Sequence, residues 1–152
     1  MTIRTVDGFF YGLFMDPAVL AKFGIQASNP RRAYAENVEL LIGRRATLWP
    51  ADGARAYGMV YTMAHSDLDK LYGGDGLTDY KPEGILTVAF ESSGGKEQRH
   101  AAEQGQGTAC LCYNLIEKPS ESERNKDYAA ELAQALDRLA FPQQYVKSVA
   151  NG

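Results

Sequence analysis

Three aromatic residues halted by a glycine, Phe9-Phe10-Tyr11-Gly12, constrain this chain more than any other stretch. Aromatic runs favour a pleated, packed surface, and Gly12 permits the sharp turn that ends it. Asp16-Pro17 then reads as a helix start, with an N-cap side chain followed by the residue tolerated at the first helical position. The chain is thus expected to pass from a buried strand into a helix within a few residues. Such a junction leaves backbone N–H groups open to a ligand. The same residues also read as a core strand with a tight turn and no ligand, and the residues alone leave both readings open.

Beyond this junction the helix is expected to end at Phe23, closed by Gly24. Residues 27–30 read as a loop. Alternation over Ala33–Ile42, with Val38, Leu40 and Ile42 on one face, reads as a strand. Ala46–Trp49 reads as a short strand stopped by Pro50, and Ala51-Asp52-Gly53 as a turn. Arg55–Met63 is apolar on both faces, as in a closed or covered sheet. Gly58 inside it implies a bulge or a close backbone approach.

His65–Tyr72 reads as a short helix whose Ser66 and Asp69 approximate a capping box; it runs into the flexible Gly73-Gly74-Asp75-Gly76. Tyr80–Glu91 is expected to pair with Thr108–Leu115 across an exposed hairpin loop near residues 91–107. C-terminal helices are expected over residues 120–150, the first opened by a Ser120–Glu123 capping box and striped by Tyr128, Leu132, Ala135, Leu136 and Leu139. Many short strands with few helices between them give an α+β class: a small mixed β-barrel or curled sheet flanked by helices, in one domain spanning residues 1–152.

A formal net charge of −3 argues against a nucleic-acid partner. The absence of an apolar run near the ~20 residues of a bilayer span argues against a membrane, and the first residues lack the shape of a signal peptide. Cys110 and Cys112 lie two apart on one strand, aim in parallel, and read as free thiols, which suits a cytoplasmic location. With His65 and His100 as the only histidines, no metal site is expected.

Three pieces in order, Phe9–Leu20, Tyr57-Gly58-Met59-Val60-Tyr61 and Leu71–Gly76 followed by Tyr80, resemble the γ-glutamylcyclotransferase-like (AIG2-like) superfamily. The match in spacing runs from about Phe9 to Tyr113. The resemblance implies a mixed β-barrel with a site between the Tyr11-Gly12 turn and the Gly73–Gly76 loop. It further implies cyclisation of a γ-glutamyl amine or peptide to 5-oxoproline, without metal or organic cofactor. The substrate's own α-amine attacks its γ-carbonyl, so proximity is built in. A carboxylate accepts the amine's proton, and turn amides hold the oxyanion. On this chain the base would be Asp75. The donors would be the amides of Gly12, Leu13 and Phe14, and Tyr11, Tyr80 and Tyr113 would line the cavity.

The chain departs from the family at two points. Leu13 stands where the family has Ser or Thr, and Asp75, one methylene shorter, stands where it has Glu. A non-catalytic member binding a small anionic ligand or a protein partner, as monomer or homodimer, is therefore the second expectation. Asp75 between glycines also reads as an ordinary turn residue. Tyr57, Tyr61 and Tyr113 also read as core residues, and Asp79, Glu83, Arg31-Arg32 and Arg44-Arg45 as solvated charge, though the arginines are candidates to meet an anionic substrate.

Overall fold

In the computed structural model of the chain, residues 4–73, 77–93, 96–99 and 107–151 are described. The elements in order are β1 (Thr5–Phe10), α1 (Pro17–Lys22), β2 (Ser28–Ile42), β3 (Ala46–Ala64), α2 (His65–Tyr72), β4 (Tyr80–Ser93), β5 (Lys96–Arg99), β6 (Thr108–Leu115), α3 (Lys126–Arg138) and α4 (Gln143–Asn151). Single 3-10 turns occupy Leu13–Met15 and Glu121–Glu123.

The strands run in the order β2-β3-β1-β6-β4, and β4 returns to pair with β2 through Arg32–Tyr34 against Val88–Phe90. The five strands thus close a barrel, the mixed α+β architecture expected. Only β1 and β6 run parallel among its pairs. Closure gives each of the five a neighbour on both sides over part of its length. Strand β5 lies outside the ring, paired to β4 from Ser93↔Lys96 to Phe90↔Arg99. Part of the region expected as an exposed loop is therefore strand ladder, while residues 94–95 and 100–106 lie outside the described residues.

Two expected boundaries are overturned. The strands Ala46–Trp49 and Arg55–Met63 are one continuous β3, paired with β2 from Ser28↔Thr62 to Ile42↔Ala46. The supposed turn at residues 51–53 is absorbed by a bulge. The register shifts between Glu36 and Val38, Asn37 takes φ 63°, and its side-chain carbonyl accepts the Gly53 N–H at 3.0 Å. Gly53 itself has φ 79°, a conformation that glycine and asparagine reach at low cost. Pro50, which lacks an N–H, sits beside the bulge opposite Val38. The expected loop at 27–30 is likewise an irregular start to β2, with a register shift between Ser28 and Arg31 and φ 52° at Asn29.

The core fills the barrel and the space beneath α2 and α3. Phe9, Tyr34, Val60 and Met63 meet Leu68 and Leu71 of α2, Leu132 and Leu136 of α3, and Phe141. Gly58 is a close-approach glycine: a Cβ there would stand 2.3 Å from the Phe10 carbonyl oxygen. Cys110 and Cys112 are buried free thiols, and burial pushes Cys112 up to about 12. Among the described residues no helix is long and apolar enough to cross a membrane.

Helix starts correct two capping expectations. Asp16 caps α1 as expected, accepting the Ala18 N–H at 2.9 Å. The residue before α2 is Ala64, with no side-chain cap, so Ser66 and Asp69 form no box there. Ser120 makes no cap hydrogen bond; α3 is capped five residues later by Asn125, which accepts the Tyr128 N–H at 3.0 Å.

Candidate active site at the end of the barrel

The carboxyl end of β1, the β2–β3 turn, the start of β4 and the first turn of α3 surround a cavity of about 340 Å³. A volume of this size suits one small molecule. Its lining includes Phe10, Tyr11, Gly12, Leu13 and Phe14 from the strand-to-helix junction, Val19 and Phe23 from α1, and Arg44, Arg45 and Ala46 from the β2–β3 turn. Tyr72 comes from α2, Leu77 from the connection that follows it, Tyr80 from the start of β4 and Tyr128 from α3.

The junction is held from below. The Met15 N–H returns to the Gly12 carbonyl at 2.9 Å and the Asp16 N–H to the Leu13 carbonyl at 3.1 Å. The Tyr61 hydroxyl donates to the Met15 carbonyl at 2.7 Å. The Leu13 N–H donates to the Tyr128 hydroxyl oxygen at 3.3 Å. The amides of Gly12 and Phe14 have no acceptor among the described residues. A Cβ at position 12 would lie 2.3 Å from the Tyr128 Oη, so a larger residue there must displace that phenol.

Asn125 ties the opposite wall together. Its side chain caps α3 and thereby sets Tyr128. Its N–H donates to the Gly43 carbonyl at 2.8 Å, and its side-chain amide to the Arg44 carbonyl at 3.5 Å. One residue therefore positions both the Tyr128 phenol and the arginine turn. Arg44 pairs with Glu123 at 2.8 Å and Arg45 with Asp79 at 2.9 Å, and the Arg45 guanidinium lies 5.6 Å from the Tyr80 ring centre.

Four phenols meet around the cavity, and their hydroxyls are used differently. Tyr11 donates to the Tyr113 carbonyl at 2.6 Å, and Tyr80 to the Ala46 carbonyl at 2.6 Å. Tyr128 accepts from Leu13, which leaves its own O–H to donate. The Tyr72 hydroxyl has no hydrogen-bond partner among the described residues. Burial raises all four, Tyr80 to about 12, and neighbouring phenols add to the shift at Tyr11, Tyr72 and Tyr80. They remain neutral donors at physiological pH.

The junction residues Tyr11, Gly12, Leu13 and Phe14 and the distant Tyr80 thus border one cavity. Tyr113 stands behind it: its ring stacks on Tyr72 at 3.9 Å between centres, and its carbonyl holds Tyr11. Asp75 lies outside the described residues; Tyr72 and Leu77, before and after it in the chain, both line the cavity. No lining residue among those described is a carboxylate, and none of the described His, Cys, Asp and Glu residues gather in threes to hold a metal. In the sequence Tyr128 belongs to the apolar stripe of its helix, Val19 and Phe23 to the helical spacing of α1 and Tyr72 to the Leu71–Gly76 stretch, and nothing marks these or Leu77 as cavity lining. The helical spacing that marks a core stripe also marks a wall, so periodicity carried no signal for these.

Searches of solved structures return the same barrel. A γ-glutamyl cyclotransferase superposes with a TM-score of 0.72 at 15% identity, over 97% of this chain and 88% of that one. The fold is that of the γ-glutamyl cyclotransferases. A γ-glutamyl cyclotransferase specific to glutathione, from yeast, matches at TM-score 0.62 and 12% identity over 96% of this chain and 94% of its own. An AIG2-like protein from Mus musculus matches at TM-score 0.56 and 17% identity over 78% and 82%. No protein-family model and no curated protein sequence matches the chain. In this barrel β1 and the parallel β6 run side by side through Gly8↔Leu111, so Gly12, which lines the cavity, and Tyr113, which holds Tyr11, lie toward the same end of the molecule.

Proposed function

We propose that this chain is a γ-glutamylcyclotransferase-like enzyme that converts a small γ-glutamyl amine or peptide to 5-oxoproline and the free amine. The observation that carries the reading is the single cavity shared by the Gly12–Phe14 junction and the Tyr72–Tyr80 region, within a γ-glutamyl cyclotransferase fold. In the reaction the substrate's α-amine nitrogen bonds to its γ-carbonyl carbon, and the amide C–N bond then breaks. The proton lost by the attacking amine leaves on the departing amine. Asp75 is the proposed carrier of that proton. The amides of Gly12 and Phe14, with the Tyr128 hydroxyl, are the proposed donors to the oxyanion. Tyr128 suits this because it accepts the Leu13 N–H and keeps its own proton to give. Arg44 and Arg45 at the cavity wall supply positive charge for the substrate's carboxylate.

One observation favours a second reading, a non-catalytic member that binds a small anionic ligand. The Leu13 amide, one of the three donors the chemistry would use, already meets a side-chain oxygen. Both readings are separated by incubating the protein with γ-glutamyl amines and peptides and measuring 5-oxoproline. Turnover that Asp75→Asn abolishes supports the enzyme. An inert wild type that gains turnover as Asp75→Glu supports the binding protein, with the shortened acid as the defect. Turnover unaffected by Asp75→Asn rejects the base assignment.

A further inference from the structure

The cavity is chemically lopsided. Its hydrogen-bonding groups lie on the junction, on α2, at the start of β4, on α3 and on the β2–β3 turn, while the lining residues of the α1 side, Val19 and Phe23, are hydrocarbon. There Phe14 meets Phe23 edge-on at 5.8 Å and Tyr72 edge-on at 5.6 Å, with Val19 beside them. Phe23 is 42% exposed, a large aromatic surface left to water at the end of a helix. Of the exposed large hydrophobic residues among those described, Phe23 alone borders this cavity; Leu86 and Ile116 lie elsewhere. The backbone that carries the ring is fixed, since the Phe23 N–H donates to the Leu20 carbonyl at 3.0 Å and Gly24 ends the helix with φ 70°, and the ring itself rests edge-on against Phe14. A rigid, half-wet aromatic wall gains most from a ligand that covers it.

Charge narrows the choice. The charged residues lining the cavity are Arg44 and Arg45, and no described lining residue is acidic. Both arginines are paired with acids, Glu123 and Asp79, so a cationic side chain against the α1 wall would lose its hydration and find no carboxylate among the described lining residues. Among Phe14, Val19, Phe23 and Tyr72 the one polar side-chain atom is the Tyr72 hydroxyl, so a polar amine half would find few partners on this side.

We propose that the Phe14–Val19–Phe23 wall recognises the amine half of the substrate. The class of substrate is then γ-glutamyl conjugates of aromatic or branched aliphatic amines or amino acids without a positive side chain. The inference deepens the cyclising reading above and takes its γ-glutamyl half from it.

The test is isothermal titration of the intact protein with γ-glutamyl-phenylalanine, γ-glutamyl-glycine and γ-glutamyl-lysine linked through the lysine α-amine, which keeps its ε-ammonium, with 5-oxoproline assayed in parallel. The phenylalanine conjugate is expected to bind about tenfold or more tighter than the glycine conjugate, and the lysine conjugate weakest. Phe23→Ser should reduce the phenylalanine-over-glycine ratio at least about threefold, while Phe23→Leu, which keeps the apolar cover, should retain most of it. Phe23 is on the surface, so both variants are expected to fold. Equal affinities, a preference for the lysine conjugate, no binding by any of the three, or a ratio indifferent to Phe23→Ser would overturn the inference. The expected affinity order without 5-oxoproline from any conjugate would support the inference and reject cyclisation alone.

Discussion

Replacing Gly58 with alanine tests how the barrel delivers β1 to the site. The added Cβ would stand 2.3 Å from the Phe10 carbonyl oxygen and 2.9 Å from its carbon, with the Phe9 ring at 3.0 Å. Relieving the oxygen contact to even 3.0 Å requires about 0.7 Å of backbone movement. Neither backbone is free to give way. Gly58 is paired to Ala33 of β2 on one side, and Phe10 to Met59 on the other.

The strain belongs to overpacking, about 1–3 kcal/mol, here toward its upper end. About 0.4–1 kcal/mol returns because alanine restricts the unfolded chain. The net expectation is a loss of about 2 kcal/mol, or about 4–8 °C in Tm for a chain of this size. Urea denaturation and calorimetry read it directly. Gly84→Ala is the control, since a Cβ there meets nothing within 4 Å, and it should leave stability within about 0.5 kcal/mol. A Gly58→Ala protein as stable as Gly84→Ala would refute the claim that β1 and β3 are locked together at this glycine.

Three further outcomes are expected. Gly12→Ala collides with the end of a side chain, Tyr128 Oη at 2.3 Å, and not with backbone. It should cost under about 1 kcal/mol in stability yet weaken γ-glutamyl-phenylalanine binding about tenfold or more by titration calorimetry, because a displaced Tyr128 releases Leu13 and enters the cavity. Asp7 is opposed by burial, but hydrogen bonds from Arg31 and Thr62 and the Arg31 charge outweigh it and lower its pKa below the usual 3.8. A depressed carboxylate contributes stability above its unfolded value and loses it as pH falls through the folded one. Urea midpoints of Asp7→Asn should therefore converge on wild type below about pH 3 and lie beneath it above about pH 5; parallel curves would exclude the effect. Cys110 and Cys112 are buried, and Cys112 is raised to about 12. The native protein should leave both thiols unreacted with Ellman's reagent at pH 8 and expose two in denaturant.

Several parts of the molecule were legible because their causes are local. Asp16-Pro17 caps and starts α1 wherever that segment sits, and the spacing of Leu132 and Leu136 marks the buried face of α3. The long β2–β3 ribbon was not legible. Pro50, Asp52 and Gly53 carry turn chemistry, and only the partner strand, with the left-handed Asn37 opposite, converts that chemistry into a bulge. The start of α3 was misplaced for a similar reason. Ser120 and Glu123 have capping spacing, but Asn125 also bonds Gly43 and Arg44 some eighty residues earlier in the chain, and that tertiary contact decides where the helix begins.

The site divides in the same way. From its own residues, the stretch Phe9–Pro17 determined that a buried strand would stop near Gly12 and pass into a capped helix, because aromatic packing, glycine freedom and N-capping act over a few bonds. Tertiary structure alone decided what faces that junction. Closing the barrel and docking α3 bring Tyr128, Tyr72 and the arginine turn to it, and their spacing along the chain holds no record of that meeting. Whether Phe23 completes a core or walls a cavity depends on what packs opposite, and a single amphipathic segment cannot specify its own neighbour.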